Sequence, residues 1–116
     1  MGYEFVIRCP HDGSMMRIEV SESFITFVVD YGDRVSRVAD IRNTTFIEML
    51  EGGFESAIGK VLIRMDTGES IFSRFFMNVD NDRIMFQYYE LPAGSEFSMY
   101  MLEGNEFNIF MELFEI

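Results

Sequence analysis

Covalent or metal chemistry in this chain would have to run through one short stretch. The 116 residues include a single Cys and a single His, and both fall in Cys9-Pro10-His11-Asp12-Gly13. A Ser-His-Asp or Cys-His arrangement must therefore use His11. Cys9, His11 and Asp12 are also the natural metal donors. A structural zinc site takes four protein ligands and a catalytic one three. Only these candidates are present, packed too closely in sequence to encircle an ion, so no metal site and no cofactor are expected. Pro10 presets φ and Gly13 supplies a positive φ, so the stretch reads as a hairpin turn.

Other chemical signatures are weaker. With 20 Asp and Glu residues, paired carboxylates arise by chance and carry no acid–base argument. Asp80-Asn81-Asp82 lacks the spacing, central Gly and closing Glu of a calcium loop. No phosphate-binding glycine pattern occurs, since Gly52-Gly53 follows no strand and no Gly-Lys-Ser/Thr exists. The sequon Asn43-Thr44-Thr45 is expected to be a chance match. No catalytic residue is assigned, and the expectation is a protein that is not an enzyme.

Charge is the stronger signal. Twenty acids stand against nine Lys and Arg, a net charge of −11. Such a surface repels nucleic acid and anionic membranes and attracts basic partners. The Arg residues are scattered; the densest group, Arg34, Arg37 and Arg42, is diluted by Asp33 and Asp40. Residues 1–84 contain 14 acids and all nine bases (−5), whereas residues 85–116 contain six acids and no base (−6). No run approaches the ~20 apolar residues of a membrane span. The lone Cys suits a reducing compartment, and a cytoplasmic location is expected.

The elements that must position these groups are mostly strands. At 48% hydrophobic residues with 13 Phe, the chain is too apolar for disorder and is expected to form one domain, 1–116. Turn signals separate β-branched and aromatic runs at 3–9, 15–20, 24–31 and 34–39. From Thr45 the apolar spacing changes to steps of three and four (Phe46, Met49, Leu50, Phe54, Ala57, Ile58), which predicts a helix. Thr45 and Glu48 form a capping-box pattern. Gly52-Gly53 costs it about 2 kcal/mol of propensity and predicts a break there, and Gly59 is a suitable stop. Strands then follow at 61–66, 69–77, 83–91, 96–103 and 106–115, with a polar loop at 78–82 and turns at Thr67-Gly68, Pro92–Ser95 and Gly104-Asn105. The expected class is a β-rich α+β domain: an antiparallel sheet or sandwich of about eight to nine strands with one central helix packed on it. An open β-barrel is the alternative.

A two-residue type II′ turn at Gly104-Asn105 would make the last two strands a hairpin. One face would then gather Ser98, Tyr100, Leu102, Phe107, Ile109, Met111 and Leu113. The other would gather Phe97, Met99, Met101, Glu103, Glu106, Asn108, Phe110, Glu112 and Phe114, mixing apolar side chains with carboxylates. That mixture suits a binding surface, with aromatic and Met anchors and carboxylates that steer a basic partner. The expected partner-binding residues are Tyr88, Tyr89, Glu90, Met99, Met101, Glu103, Glu106, Phe110, Glu112 and Phe114. The expected function is an acidic inhibitor that occludes a basic, nucleic-acid-handling protein, in the manner of immunity proteins and phage antagonists of defence. A small-molecule-binding β-barrel and a structural assembly subunit are the alternatives. Strands apolar on both faces also suggest a homodimer.

Overall fold

The computed structural model describes residues 2–56, 61–65, 73–80, 82–90 and 98–114. Alternating apolar residues make the first half an antiparallel meander: β1 (Tyr3–Arg8), β2 (Met15–Val20), β3 (Phe24–Asp30) and β4 (Val35–Arg42). Phe5, Ile7, Met16, Ile18, Val20, Ile25, Phe27 and Val29 turn inward and are buried. The β1–β2 turn closes with Cys9 N–H donating to Ser14 O at 2.8 Å, and Gly13 adopts φ +74° there. Between β3 and β4, Phe27 pairs with Ala39 but Val28 pairs with Arg37. Val38 is thus an extra residue, and this bulge lets Val38 and Ala39 both be buried although adjacent.

Helix α1 (Asn43–Ser56) follows. It begins two residues before Thr45, so the capping-box reading of Thr45 and Glu48 is replaced by another anchor. Asn43 N–H donates to Ser23 O at 2.9 Å and Asn43 Nδ2 to Ser21 O at 2.8 Å, tying the helix start to the β2–β3 turn. The helix also runs through Gly52-Gly53 instead of breaking. Burial of Phe46 and Leu50 supplies tertiary packing, which outweighs propensity in helices of this length. The expected stop at Gly59 lies outside the described residues.

The second half repeats the order of the first. β5 (Val61–Met65), β6 (Ser73–Val79), β7 (Arg83–Glu90) and β8 (Ser98–Glu103) form a second four-stranded antiparallel meander. Asn78 and Val79 belong to β6, not to a loop, because Val79 is fully buried. The turns at 67–68 and 92–95 lie outside the described residues. The β2–β3 and β6–β7 turns share one closure: Ser21 N–H donates to Phe24 O and Asp80 N–H to Arg83 O, at 2.8 and 2.9 Å.

The chain then forms helix α2 (Gly104–Leu113), not a ninth strand. This corrects the terminal-hairpin reading. Gly104 has φ +66° and opens the helix. The apolar residues of 107–114 satisfy both periods, but the helical set Phe107, Phe110, Met111 and Phe114 is the one that is buried. Ile109, inward in a strand, is 40% exposed.

Among the described residues the fold is therefore α+β, with two antiparallel sheets face to face and two helices where one was expected. Phe27 of the first sheet meets Phe75 and Phe86 of the second, with ring centroids 5.0 and 5.3 Å apart. Phe46 of α1 touches Phe110 and Phe114 of α2, and Phe110 touches Phe5 of β1. One core cluster draws on both sheets and both helices. Among the described residues, no helix is long and apolar enough to cross a membrane.

Candidate protein-binding site

The residues with chemical potential sit where the β1–β2 turn meets β8. Asp12 Oδ1 accepts from Ser14 N–H at 2.9 Å and from Ser14 Oγ at 2.6 Å, and Asp12 Oδ2 accepts from Ser98 Oγ at 2.5 Å. Ser14 Oγ lies 2.6 Å from the Tyr100 hydroxyl. Partial burial raises the Asp12 carboxyl, but donors from Ser14, Ser98 and Cys9 outweigh it and hold it at about 2. Burial pushes Tyr100 above its ordinary value, aided by the neighbouring Asp12 and Cys9 and only partly offset by the two serines. A carboxylate held this low is a poor general base. His11 is exposed at the turn, and among the described residues no three His, Cys, Asp or Glu side chains converge on a metal position. The cluster is a polar clasp between the sheets: Ser14 is 3% and Ser98 8% exposed, and each hydroxyl is satisfied.

The partner-binding residues expected from sequence separate into five places. Phe110 and Phe114 are 0% and 5% exposed, packed on Phe46 and on each other, so neither is an external anchor. They turn inward because the segment is helical. Tyr88 is 3% exposed and faces the core against Phe75. It lies on the inward parity of β7, with Ile84 and Phe86. Met99, Met101 and Glu103 lie on the outward parity of β8, the first two partly buried and Glu103 exposed. Tyr89 and Glu90 are placed by register alone, opposite Arg74 and Ser73. Glu106 and Glu112 are exposed on α2. The ten residues therefore do not form one surface.

The helices carry further exposed acids. α1 exposes Glu48 and Glu51, and α2 exposes Glu106 and Glu112 with Ile109 between them. The helices touch through Phe46, Phe110 and Phe114. Neither helix contains a Lys or Arg, and no ion pair involves these four glutamates among the described residues. Glu112 stands in the last turn of α2, where the macrodipole disfavours negative charge. All the described bases belong to the strands or their turns, where Arg17 pairs with Glu19 at 3.0 Å and Arg37 with Asp40 at 3.1 Å. Glu48, Glu51 and Ile109 were absent from the sequence-derived set. The legible signal was the lack of any base between 43 and 56 and again after 84.

No family model, curated protein or solved structure matches this chain, so the helical acidic surface stands on its geometry alone.

Proposed function

We propose that this chain is an acidic interaction protein that inhibits a basic, nucleic-acid-handling target by occupying its binding groove, with the α1/α2 side as the docking surface. One observation carries the reading. Four exposed glutamates and an exposed isoleucine occupy two touching helices that hold no base, and one of the acids, Glu112, opposes its helix dipole. That arrangement costs the isolated chain stability, and a basic partner would relieve it. Grooves that hold phosphate backbones supply such partners, because their Lys and Arg are spaced to meet serial negative charge. Ile109 offers the apolar contact that charges alone do not provide. Filling of the inter-sheet space by Phe27, Phe75 and Phe86 favours this reading over a small-molecule-binding barrel.

The test is capture of a target from the native host, followed by assay of the purified target's nucleic-acid activity at equal stoichiometry. Inhibition is expected, falling steeply between 0.1 and 0.5 M salt, and Glu106→Lys with Glu112→Lys should abolish it. The Glu112→Lys change alone should raise stability by about 0.5 kcal/mol, since Lys suits the last helical turn. Inhibition that survives the double reversal refutes the docking surface.

A further inference from the structure

Strand β1 is an edge of the first sheet. It pairs with β2 alone, in unbroken register from Tyr3–Val20 to Arg8–Met15. The nearby β8 makes no backbone bond to it among the described residues. The turn beyond β1 fixes which of its backbone groups face the open side. Cys9 N–H donates to Ser14 O, the next pair in that register. Antiparallel pairs alternate between bonded and non-bonded, so Tyr3, Phe5 and Ile7 direct their N–H and C=O at β2. Those of Glu4, Val6 and Arg8 point to the open edge. The β2–β3 turn agrees: Ser21 N–H donates to Phe24 O, which leaves Met16, Ile18 and Val20 to bond β1. The side chains of Glu4, Val6 and Arg8 are exposed as well, Val6 at 48%. Among the described residues neither Glu4 nor Arg8 has an ion pair. Glu4 instead stands opposite Glu19, an unfavourable cross-strand pair. A bulge, Pro or Lys commonly guards such an edge. β4, at the other side of the sheet, has the Val38 bulge, whereas β1 has none of the three.

We infer that the open edge of β1 pairs with β1 of a second copy, antiparallel about a twofold axis through Val6. The strand is its own complement in that register. With Val6 opposite its twin, Glu4 faces Arg8 of the second copy and Arg8 faces its Glu4. The outward N–H and C=O groups of the three residues then form about six backbone hydrogen bonds across the seam. Arg8 of the second copy also relieves the repulsion between Glu4 and Glu19. Shifting one strand by two residues sets Glu4 or Arg8 against Val6 and loses both ion pairs, so charge selects the register. A purely basic partner would leave Arg8 unmatched, and a purely acidic one Glu4. The edge calls for a strand with both signs at this spacing, and β1 is such a strand. The seam also falls where the chain least repels itself. Residues 1–42 hold seven acids and five bases, −2, whereas residues 43–116 carry the other −9 of the net −11.

The twofold places Glu4, Val6 and Arg8 of both copies on one outer face and joins two four-stranded sheets into a single continuous one. A seam one strand long, about 20 Å, is small beside the interfaces of permanent dimers, so the pairing is reversible and concentration-dependent. It does not depend on the proposed target.

Sedimentation equilibrium from about 5 to 500 µM tests it, because association of this kind follows mass action. The mass should climb from 13.6 kDa toward twice that value. Glu4→Arg and Arg8→Glu should each weaken pairing about tenfold or more: the first sets cation against cation at both ends of the seam, the second acid against acid. An equimolar mixture of the two variants should pair to within a few-fold of wild type. Each end then joins opposite charges, and the mixed pair has the same total charge as a wild-type pair, so net repulsion cannot explain the difference. Amide exchange followed by NMR reads the seam without substitution: the Glu4, Val6 and Arg8 N–H groups should exchange several-fold more slowly in concentrated wild-type protein. A wild-type chain that stays monomeric, a mixture that pairs no better than its components, or a Val6 exchange rate that does not change with concentration overturns the inference.

Discussion

Removing the Asp12 carboxylate should destabilise the fold by an amount that depends on pH. In Asp12→Ala, Ser14 Oγ, Ser14 N–H and Ser98 Oγ all lose an acceptor. Hydrogen bonds to a charged group contribute about 1.5–3 kcal/mol each when buried. Asp12 is itself exposed and water replaces part of each bond, so about 1 kcal/mol apiece is appropriate, near 3 kcal/mol in all. For a chain of this size that lowers Tm by roughly 10 °C. Part of the loss is linked to protons. Lowering a carboxyl from 3.8 to about 2 would be worth ~2.5 kcal/mol in a buried site, and screening at this exposed one reduces it to about 1 kcal/mol. The folded value lies below the unfolded one, so this share is fully present above pH 3.8 and is lost as pH falls toward about 2. Urea melts of wild type and Asp12→Ala should therefore show a constant gap from pH 7 to 5 that narrows by about 1 kcal/mol between pH 4.5 and 2. A gap that stays constant down to pH 2, or one under about 0.5 kcal/mol at pH 7, refutes the clasp as the source of the linkage.

Two further changes probe the C-terminal helix. Phe110→Ala should cost about 3–5 kcal/mol in urea unfolding, since the ring is fully buried against Phe5, Phe46 and Phe114; an external anchor would lose under about 0.5 kcal/mol. Gly104→Ala should cost about 1–2 kcal/mol through backbone conformation alone, because φ is +66° and nothing lies within 4 Å of an added Cβ. Gly104→Asn should cost less, and equal thermal shifts for the two would contradict that account.

Much of the fold was legible because the core-facing residues of the strands alternate cleanly. β2 was readable to the residue, and Tyr100 and Leu102 face in while Met99 and Met101 face out, as the period of two requires. The last segment was misread because Phe107, Ile109, Met111 and Leu113 fit a strand as well as Phe107, Phe110, Met111 and Phe114 fit a helix. Only the docking of α2 on β1 and α1 decides between them. The Val38 bulge carries no Gly or Pro to announce it. The clasp was invisible for another reason: Ser14 and Tyr100 are 86 residues apart, and nothing in either neighbourhood names the other. The acidic character of the site was plain in the sequence, but the hairpin reading put buried Phe110 and Phe114 on its surface.

Each sheet is a meander whose strand pairings join only neighbours along the chain. The first can therefore assemble during synthesis before any of the second exists, since local pairings close quickly. Its inner surface, with Phe5, Ile18, Phe27 and Val29, would then stand wet until its counterpart emerges. A nascent chain stalled once β4 has cleared the ribosome would be a sticky half-sandwich, and ribosome-bound holdase chaperones should engage it in that interval and release it once β8 has emerged.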